Sequence, residues 1–416
     1  MKKQKSKLSA LLIFAMAFVL AMGTFALTGC GGEDTAVVEE PEPIINPITG
    51  FEVETEEDLP IRPVVVSIPN APDGAVPQSN LSYADIIYEF PVEAELTRLQ
   101  AVYYTQFPDK FGPIRSVRYY FVNVCREWKA CHVGYGWGKK ARGYMEDCGI
   151  PHINGMQDTD LFYRVSDKSA PNNAYIDWSS VQQRADEEGW FAERVKIKPF
   201  KFRDEKWKEE QEAAKIEAEG IIAEKGESNA EEDVKAVKKA EKVLKEPEWA
   251  SSVKVSSSGC NSECVYNRET GKYDRFWYGQ PFVDKETGEQ LSFDNVIIQY
   301  VHSDIMTDTD GTLDHKGRLS IDMDEGGDAM IFTHGEVVKG KWTRKDMDHR
   351  TIFKDEDGEQ FRLTPGTTWV YVVDQKMDCS YEAGEPVVDE EEAVDEEVAE
   401  EEGGAEHEAG AEETTE

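Results

Sequence analysis

The first thirty residues constrain where the rest of this chain folds. Lys2, Lys3, Lys5 and Lys7 precede an almost uncharged apolar run from Leu8 to Leu27, which closes on Leu27-Thr28-Gly29-Cys30. A basic stretch, an apolar stretch and a small-residue end form the layout of an export signal. The last four residues have the lipobox pattern: a branched residue, two small residues and a cysteine. The small residues open the backbone to a signal peptidase, and the thiol accepts the lipid. An uncleaved spanning helix is the competing reading, since the run is long enough to cross a bilayer. Such a helix has no need of small residues and a cysteine at its end. The pattern predicts a signal peptide over 1–29 and lipidation at Cys30. It places the folded remainder on the extracytoplasmic face of the cell membrane, held by more than one acyl chain.

Loss of residues 1–29 removes four lysines and no acids, moving the formal charge from −37 to −41. Much of that charge sits in the region 379–416, which has no Lys or Arg and contains Glu390-Glu391-Glu392 and Glu400-Glu401-Glu402. A block of like charge with few apolar groups repels itself, so this tail is expected to be disordered. It serves as a solubilising tail, with divalent-cation binding as the alternative. Nucleic acid is excluded as a partner because phosphate contact requires concentrated Lys and Arg. Once Cys30 is lipidated, Cys125, Cys131, Cys148, Cys260, Cys264 and Cys379 remain. An even number in an exported protein permits disulfides, and Cys260 and Cys264 are close enough in sequence for a local bridge. Buried free thiols are the alternative. A metal set of Cys131, His132, Cys148 and His152 matches no familiar zinc spacing. No metal or cofactor is expected.

Between anchor and tail the texture predicts an α+β (mixed α/β) chain. Residues 30–60 carry the lipidated cysteine and a Glu-, Pro- and Thr-rich tether. Residues 61–202 form an α/β N-terminal domain, with strands at Pro63–Ile68, Ala84–Phe90 and Leu96–Thr105, a helix over Ser116–Trp128 and a short strand at Cys131–Val133. Residues 203–248 are dense in Glu, Lys and Ala and predict an inserted charged helical hairpin, at roughly 205–224 and 229–245. Ser228 and Glu231 have the spacing of a capping box for its second helix. The hairpin reads as a solvated spacer or a partner-binding arm. Residues 249–378 are β-branched and aromatic between Gly-containing turns, as in Val296–Val301 and Thr368–Val373, so this C-terminal domain is mainly β.

Three stretches could carry chemistry. In the first, from Asp85 to Arg98, acids recur at Glu89, Glu93 and Glu95 between two apolar strands, and Pro91 breaks the ladder there. Paired carboxylates could do acid/base work on a glycan, or could be strand-end acids paired with nearby cations. In the second, Gly112–Phe121, Ser116 is the expected helix N-cap, with Arg118 in the first turn and Arg115 just before it. Cations there oppose the helix dipole and need an anion or carboxylate partner. A charged cleft of Glu89, Glu93, Arg98, Arg115 and Arg118, with His132 beside it, satisfies both stretches. The third, His132–Lys140, reads as strand, glycine-rich turn and helix, whose backbone amides suit an anion or sugar acid. It lacks the Gly-Lys-Ser/Thr ending of a P-loop. His132 is a general acid or base in one reading and a packed structural histidine in the other. The aspartates around Gly311 lack the EF-hand spacing, since Met306 and Gly317 stand where ligands are needed.

With these pieces in order, the sequence resembles the YerB-like bacterial lipoproteins, a family of unknown function with paired N- and C-terminal domains. The matching residues are Arg62–Val66, Pro77-Gln78-Ser79, Ala84–Glu89, Val92-Glu93, Thr97-Arg98, Gly112–Arg118, Ala170–Asn173 and Tyr175. In the C-terminal region they are Tyr266-Asn267, Asp274, Gly317-Arg318-Leu319, Lys341-Trp342 and Leu363–Trp369. Ala94-Glu95 stands where that family usually has Gly-Gly, and Asn172 where a histidine often follows Ala-Pro. The resemblance implies an envelope location and the two-domain plan, and supplies no reaction.

Two function classes follow. One is a non-catalytic envelope lipoprotein that binds cell-wall glycan or an envelope protein through the charged cleft. The other is a peptidoglycan-cleaving enzyme with Glu93 or Glu89 as general acid. Abundant arginine lowers a carboxylate's pKa and so weighs toward binding.

Overall fold

The structure, a computed structural model, describes residues 43–307 and 311–384. The expected signal peptide and lipidation site, Cys30, lie outside the described residues, as does the expected tail beyond Gly384. The first half contributes β1 (Val64–Asn70), β2 (Ile86–Pro91), β3 (Thr97–Tyr103), β4 (Cys131–Gly134) and β5 (His152–Asn154). The second half contributes β6 (Ala250–Ser257), β7 (Cys260–Asn267), β8 (Lys272–Trp277), β9 (Asn295–Tyr300) and β10 (Gly327–Thr333). It continues with β11 (Glu336–Thr343), β12 (Ile352–Asp355), β13 (Thr368–Val373) and β14 (Asp378–Ala383).

Ten of these strands form one mixed sheet in the order β12-β11-β10-β9-β13-β2-β3-β1-β4-β5. The two halves meet where β13 pairs in parallel with β2, Trp369 opposite Ile87 and Tyr371 opposite Glu89. The stretches 61–202 and 249–378 therefore keep their predicted textures, yet they share backbone hydrogen bonds across a single sheet. A second sheet, built on β8-β7-β6-β14, covers one face. It encloses Ile87, Leu99, Val253, Tyr273 and Trp369. Helix α1 (Val122–Trp128) and helix α2 (Lys139–Asp147) lie on the other face, over Ile86, Phe90, Val102, Val370 and Val372. With both faces covered, central strands bury every side chain, which is why β1 and β13 read as continuous apolar runs rather than alternating ones. The chain is α+β.

Several boundaries differ from those expected. The tether over 30–60 is shorter, because Ile44–Ile45 already pairs with Glu52–Val53 and Ile48 is fully buried. Asn46 makes this possible by accepting from the amides of Ile48 and Thr49 within the turn. The range 379–416 is not wholly tail, since β14 runs to Ala383 and pairs with β6. Helix α3 (Trp178–Glu187) was not anticipated. The charged insertion folds as α4 (Glu205–Lys225) and α5 (Glu231–Val243). Ser228 is not the N-cap of α5: that position is Ala230, and the Ser228 hydroxyl instead donates to Asp233 at 2.8 Å.

The six described cysteines are all free. Cys260 and Cys264 lie on one strand four residues apart, about 13 Å along it, which is beyond any disulfide span. The expected local bridge is thereby ruled out.

The turn after β2 places Ala94 (φ 61°) and Glu95 (φ 56°) in the left-handed region. These are the positions of the Gly-Gly pair in the resembling family, and a Cβ there costs about 1 kcal/mol. Ala94→Gly is accordingly expected to raise stability by roughly 0.5 kcal/mol, after the extra chain entropy glycine loses on folding. The shift of the urea midpoint checks this.

Candidate functional site

The strand pleat divides the predicted cleft. On β2, Glu89 points to the same face as Ile87, toward the second sheet, while Arg98, Ser67 and His132 point to the opposite face. Glu89 is 1 % exposed. It accepts hydrogen bonds from Asn70 (2.9 Å), Thr97 (2.7 Å) and the Cys260 thiol (3.5 Å), and pairs with Arg275 of β8 at 3.1 Å. Burial first, and then the Glu89 carboxylate, push the Cys260 thiol upward, which keeps it a donor. Arg275 is fully buried among the rings of Phe282 and Trp369, at 5.0 and 4.6 Å. Glu89 is thus a bond between the two sheets, with no route to a substrate.

His132 is also structural in its surroundings. It is 2 % exposed, and its Nε2 lies 3.0 Å from the Ser67 hydroxyl. Burial, reinforced by His152 on the neighbouring strand, pushes its pKa down to about 3. An imidazole held neutral in the fold contributes stability that is present above its unfolded value and lost as pH falls. Between about pH 6.5 and 5 this amounts to about 1–2 kcal/mol. Buried Asp85, raised to about 6 by desolvation, works in the opposite direction over part of that range. The measurement is therefore differential. As pH falls from about 6.5 to 5, the natural chain should lose about 1–2 kcal/mol of urea stability relative to His132→Gln, in which Asp85 titrates unopposed.

Glu93, Arg98, Arg115 and Arg118 do gather. The Arg118 guanidinium forms a two-nitrogen pair with Glu93, its Nε at 3.1 Å, and donates to the Ser116 hydroxyl at 3.0 Å. Arg98 donates to the Ser116 carbonyl at 2.7 Å. Burial, and the positive charge of Arg118 beside it, pull Arg98 down to about 9. Arg115 is lowered chiefly by burial, against the pull of Asp73. Ser116 is not the helix N-cap expected. A 3-10 turn over Tyr119–Phe121 leads into α1, and Arg118 occupies the cap position with no side-chain cap bond. For Glu93, burial acts to raise the pKa but the hydrogen bonds and charge of Arg118 outweigh it, leaving the carboxyl below its ordinary value. A carboxylate ionised in this way is unsuited to act as a general acid.

Beside this cluster opens a cavity of about 850 Å³, which no sequence pattern outlined as a whole. It is lined by Val117, Arg118, Tyr119, Gly138, Lys139, Lys140, Ala141, Met306, Thr307 and Arg318. Four of the ten are cationic and none is acidic. The glycine-rich turn ends at Gly138, the N-cap of α2, which offers no side-chain cap to the first helical amides. Lys139 and Lys140 occupy the first turn, where the helix dipole disfavours them. Lys140 lies 3.8 Å above the Tyr119 ring. Partial burial against that ring lowers its pKa. Across the opening, Asp314 accepts from Arg318 Nε at 2.9 Å and so fixes the guanidinium. A Cβ at position 138 would come within 2.6 Å of Arg318 Nη1, so glycine there admits the arginine. The Tyr119 hydroxyl accepts from the Ile321 amide at 3.2 Å, docking the segment around Ser303–Ile305 and Leu319–Ile321 onto the first half.

The other sequence candidates separate. Tyr88 and Tyr120 belong to the core, Tyr88 accepting from Trp128 Nε1 at 2.9 Å and Tyr120 donating to the Pro91 carbonyl at 2.8 Å. Cys131 and His132 are successive strand residues and face opposite sides, so the alternative four-ligand metal set is not assembled. Among the described residues no group of three or more His, Cys, Asp or Glu side chains is placed to hold a metal. Arg318 lines the cavity yet lies outside the three stretches that the sequence marked for chemistry. Its signal was the Gly317-Arg318-Leu319 motif.

Residues 48–191 match the N-terminal domain, and residues 252–370 the C-terminal domain, of a protein family of unknown function, DUF3048. The chain belongs to the YerB-like family. It is 28% identical over 376 residues to the putative lipoprotein YerB of Bacillus subtilis (strain 168), covering 90% of this chain and 98% of that protein. The crystal structure of B. subtilis YerB superposes with a TM-score of 0.63 at 26% identity, over 81% of this chain and 99% of the other. The two YerB-like domain matches stop short of α4 and α5, which fall between them. No helix among the described residues is long and apolar enough to cross a membrane.

Proposed function

We propose that this YerB-like protein is a lipoprotein held by Cys30 at the extracytoplasmic face of the cell membrane. There it binds an anionic cell-envelope ligand in the cavity between α2 and the residues Met306, Thr307 and Arg318. The ligand class is a cell-wall polymer bearing carboxylate or phosphate groups. The anchor rests on the Leu27–Cys30 pattern, in keeping with the name lipoprotein carried by its B. subtilis relative. The binding reading rests on one observation: in a chain with 83 acids against 46 bases, the described residues that line the 850 Å³ cavity include Arg118, Lys139, Lys140 and Arg318 and no carboxylate. An uncapped helix start adds amide donors to the same opening, and the Tyr119 face suits a sugar ring.

The glycan-cleaving alternative finds less support, because Glu89 is sealed between sheets and Glu93 is held ionised by Arg118. The test incubates the mature protein with purified peptidoglycan, with and without its attached anionic polymers. Mass spectrometry follows both bound protein and released fragments. Binding that depends on the anionic polymer, weakens with salt and releases nothing is the expected result. Released muropeptides that disappear in Glu93→Gln would replace this reading with the enzymatic one.

A further inference from the structure

Residues 194–203 read Arg-Val-Lys-Ile-Lys-Pro-Phe-Lys-Phe-Arg: five cations, no acid, alternating with apolar residues. In a chain so rich in acids this is a local reversal of charge. The segment runs extended across the body without joining either large sheet. Its two aromatic rings turn inward, Phe200 6 % and Phe202 5 % exposed, with Phe200 packed 5.2 Å from the Trp128 ring. Lys196, Lys198 and Lys201 turn outward, exposed and without an ion-pair partner among the described residues. The backbone is pinned, so the outward row is a fixed surface rather than a loose loop. The amides of Val195, Phe200 and Arg203 donate to the carbonyls of Ile61 (2.9 Å), Pro47 (3.2 Å) and Leu363 (2.8 Å).

The position of this row gives it a meaning. Pro47 lies three residues past Ile44, where the compact body begins, and Ile44 and Ile45 line a groove of about 750 Å³ with Leu59, Ile197 and Lys196. Only thirteen residues separate Ile44 from Cys30. Even fully extended they reach about 50 Å. Lipidation at Cys30 would therefore hold the start of the body, and the cationic row beside Pro47, within that chain length of the membrane. The groove's apolar-floored, cation-rimmed shape has the character of surfaces that settle at a charged lipid interface.

We propose that the Arg194–Arg203 segment and its groove dock the body onto the anionic headgroups of the membrane that carries its anchor. This rests on the lipidation reading of Cys30 but not on the wall-ligand cavity. Glu56 and Asp204 also line the groove and are its only carboxylates among the described residues. Asp204 is occupied in capping α4, accepting from the Trp207 amide at 2.8 Å. The short tether keeps the segment near the surface at high effective concentration, so weak contacts per residue suffice.

The test uses the full lipid-modified protein in vesicles, with a fluorophore on a cysteine introduced as Glu193→Cys at the exposed end of the segment. The native described thiols are buried or half-buried. Spin-labelled headgroups act as quenchers. Quenching should be at least about twofold stronger in vesicles with about 30 % phosphatidylglycerol than in phosphatidylcholine alone. It should fall to the phosphatidylcholine level above roughly 0.5 M salt. The triple exchange Lys196→Glu/Lys198→Glu/Lys201→Glu, all at exposed positions, should abolish the difference. A lipid-modified protein that shows equal quenching in both membranes overturns the proposal. So does anionic-lipid quenching that survives the triple exchange. Loss of lipid modification itself, read by mass spectrometry, would instead refute the anchor reading.

Discussion

Arg275→Ala is expected to lower the stability of the fold by about 3–5 kcal/mol, enough to unfold a large share of a marginally stable chain. The size follows from what remains behind. Glu89 and Arg275 both have fully buried side chains, and removing the guanidinium leaves a carboxylate sealed between two sheets with only Asn70, Thr97 and Cys260 as donors. The substitution also empties the space among Phe282, Trp369 and Tyr371. Replacing both partners, as Glu89→Leu/Arg275→Met, should recover most of the loss, because neither charge is then stranded. A double-mutant cycle from urea unfolding measures the coupling. If the double variant is as unstable as Arg275→Ala, the loss belongs to packing rather than to the stranded charge.

That pair also shows where the sequence could and could not be read. The strands around Glu89 were legible because buried runs of Val, Ile and Tyr announce themselves, and β2, β3 and β13 lie within two residues of their expected bounds. The partner of Glu89 was not legible. Sequence proximity suggested Arg98 and Arg115, but the period of two along a strand turns Glu89 and Arg98 to opposite faces. The true partner, Arg275, lies 186 residues away. The same limit hid the cavity. Lys139 and Lys140 stood in a recognisable glycine-rich turn, whereas Arg318 reaches them only because Tyr119 and Ser320 dock two distant segments. Local propensity also misjudged the edges of the body. Residues 44–60 are rich in Glu and Pro and read as tether, yet one buried isoleucine and one turn-forming asparagine fold their first part. β14 was missed because its six residues, Asp-Cys-Ser-Tyr-Glu-Ala, carry little apolar signal and gain their place from pairing with β6.

The cavity itself yields a prediction in which binding and catalysis differ in sign. Lys139→Glu/Lys140→Glu should weaken binding of an anionic wall-polymer fragment by about a hundredfold at low salt. Each exchange replaces attraction by repulsion, worth about 1–1.5 kcal/mol at a partly exposed opening. The fold should tolerate it, since both side chains are exposed and acids in the first turn of α2 complement the helix dipole. Lost binding could then not be blamed on a frayed helix. Glu93→Gln should do the reverse, strengthening binding by about fivefold, because it removes the carboxylate that now competes for Arg118. In a glycan-cleaving enzyme with Glu93 as its acid, the same exchange abolishes turnover. Calorimetric titration of the three proteins, repeated at raised ionic strength, decides the matter. Opposite shifts for the lysine and glutamate variants, both shrinking as salt screens the charges, mean that the cluster recognises an anion. Parallel losses mean that Glu93 contributes something other than competition.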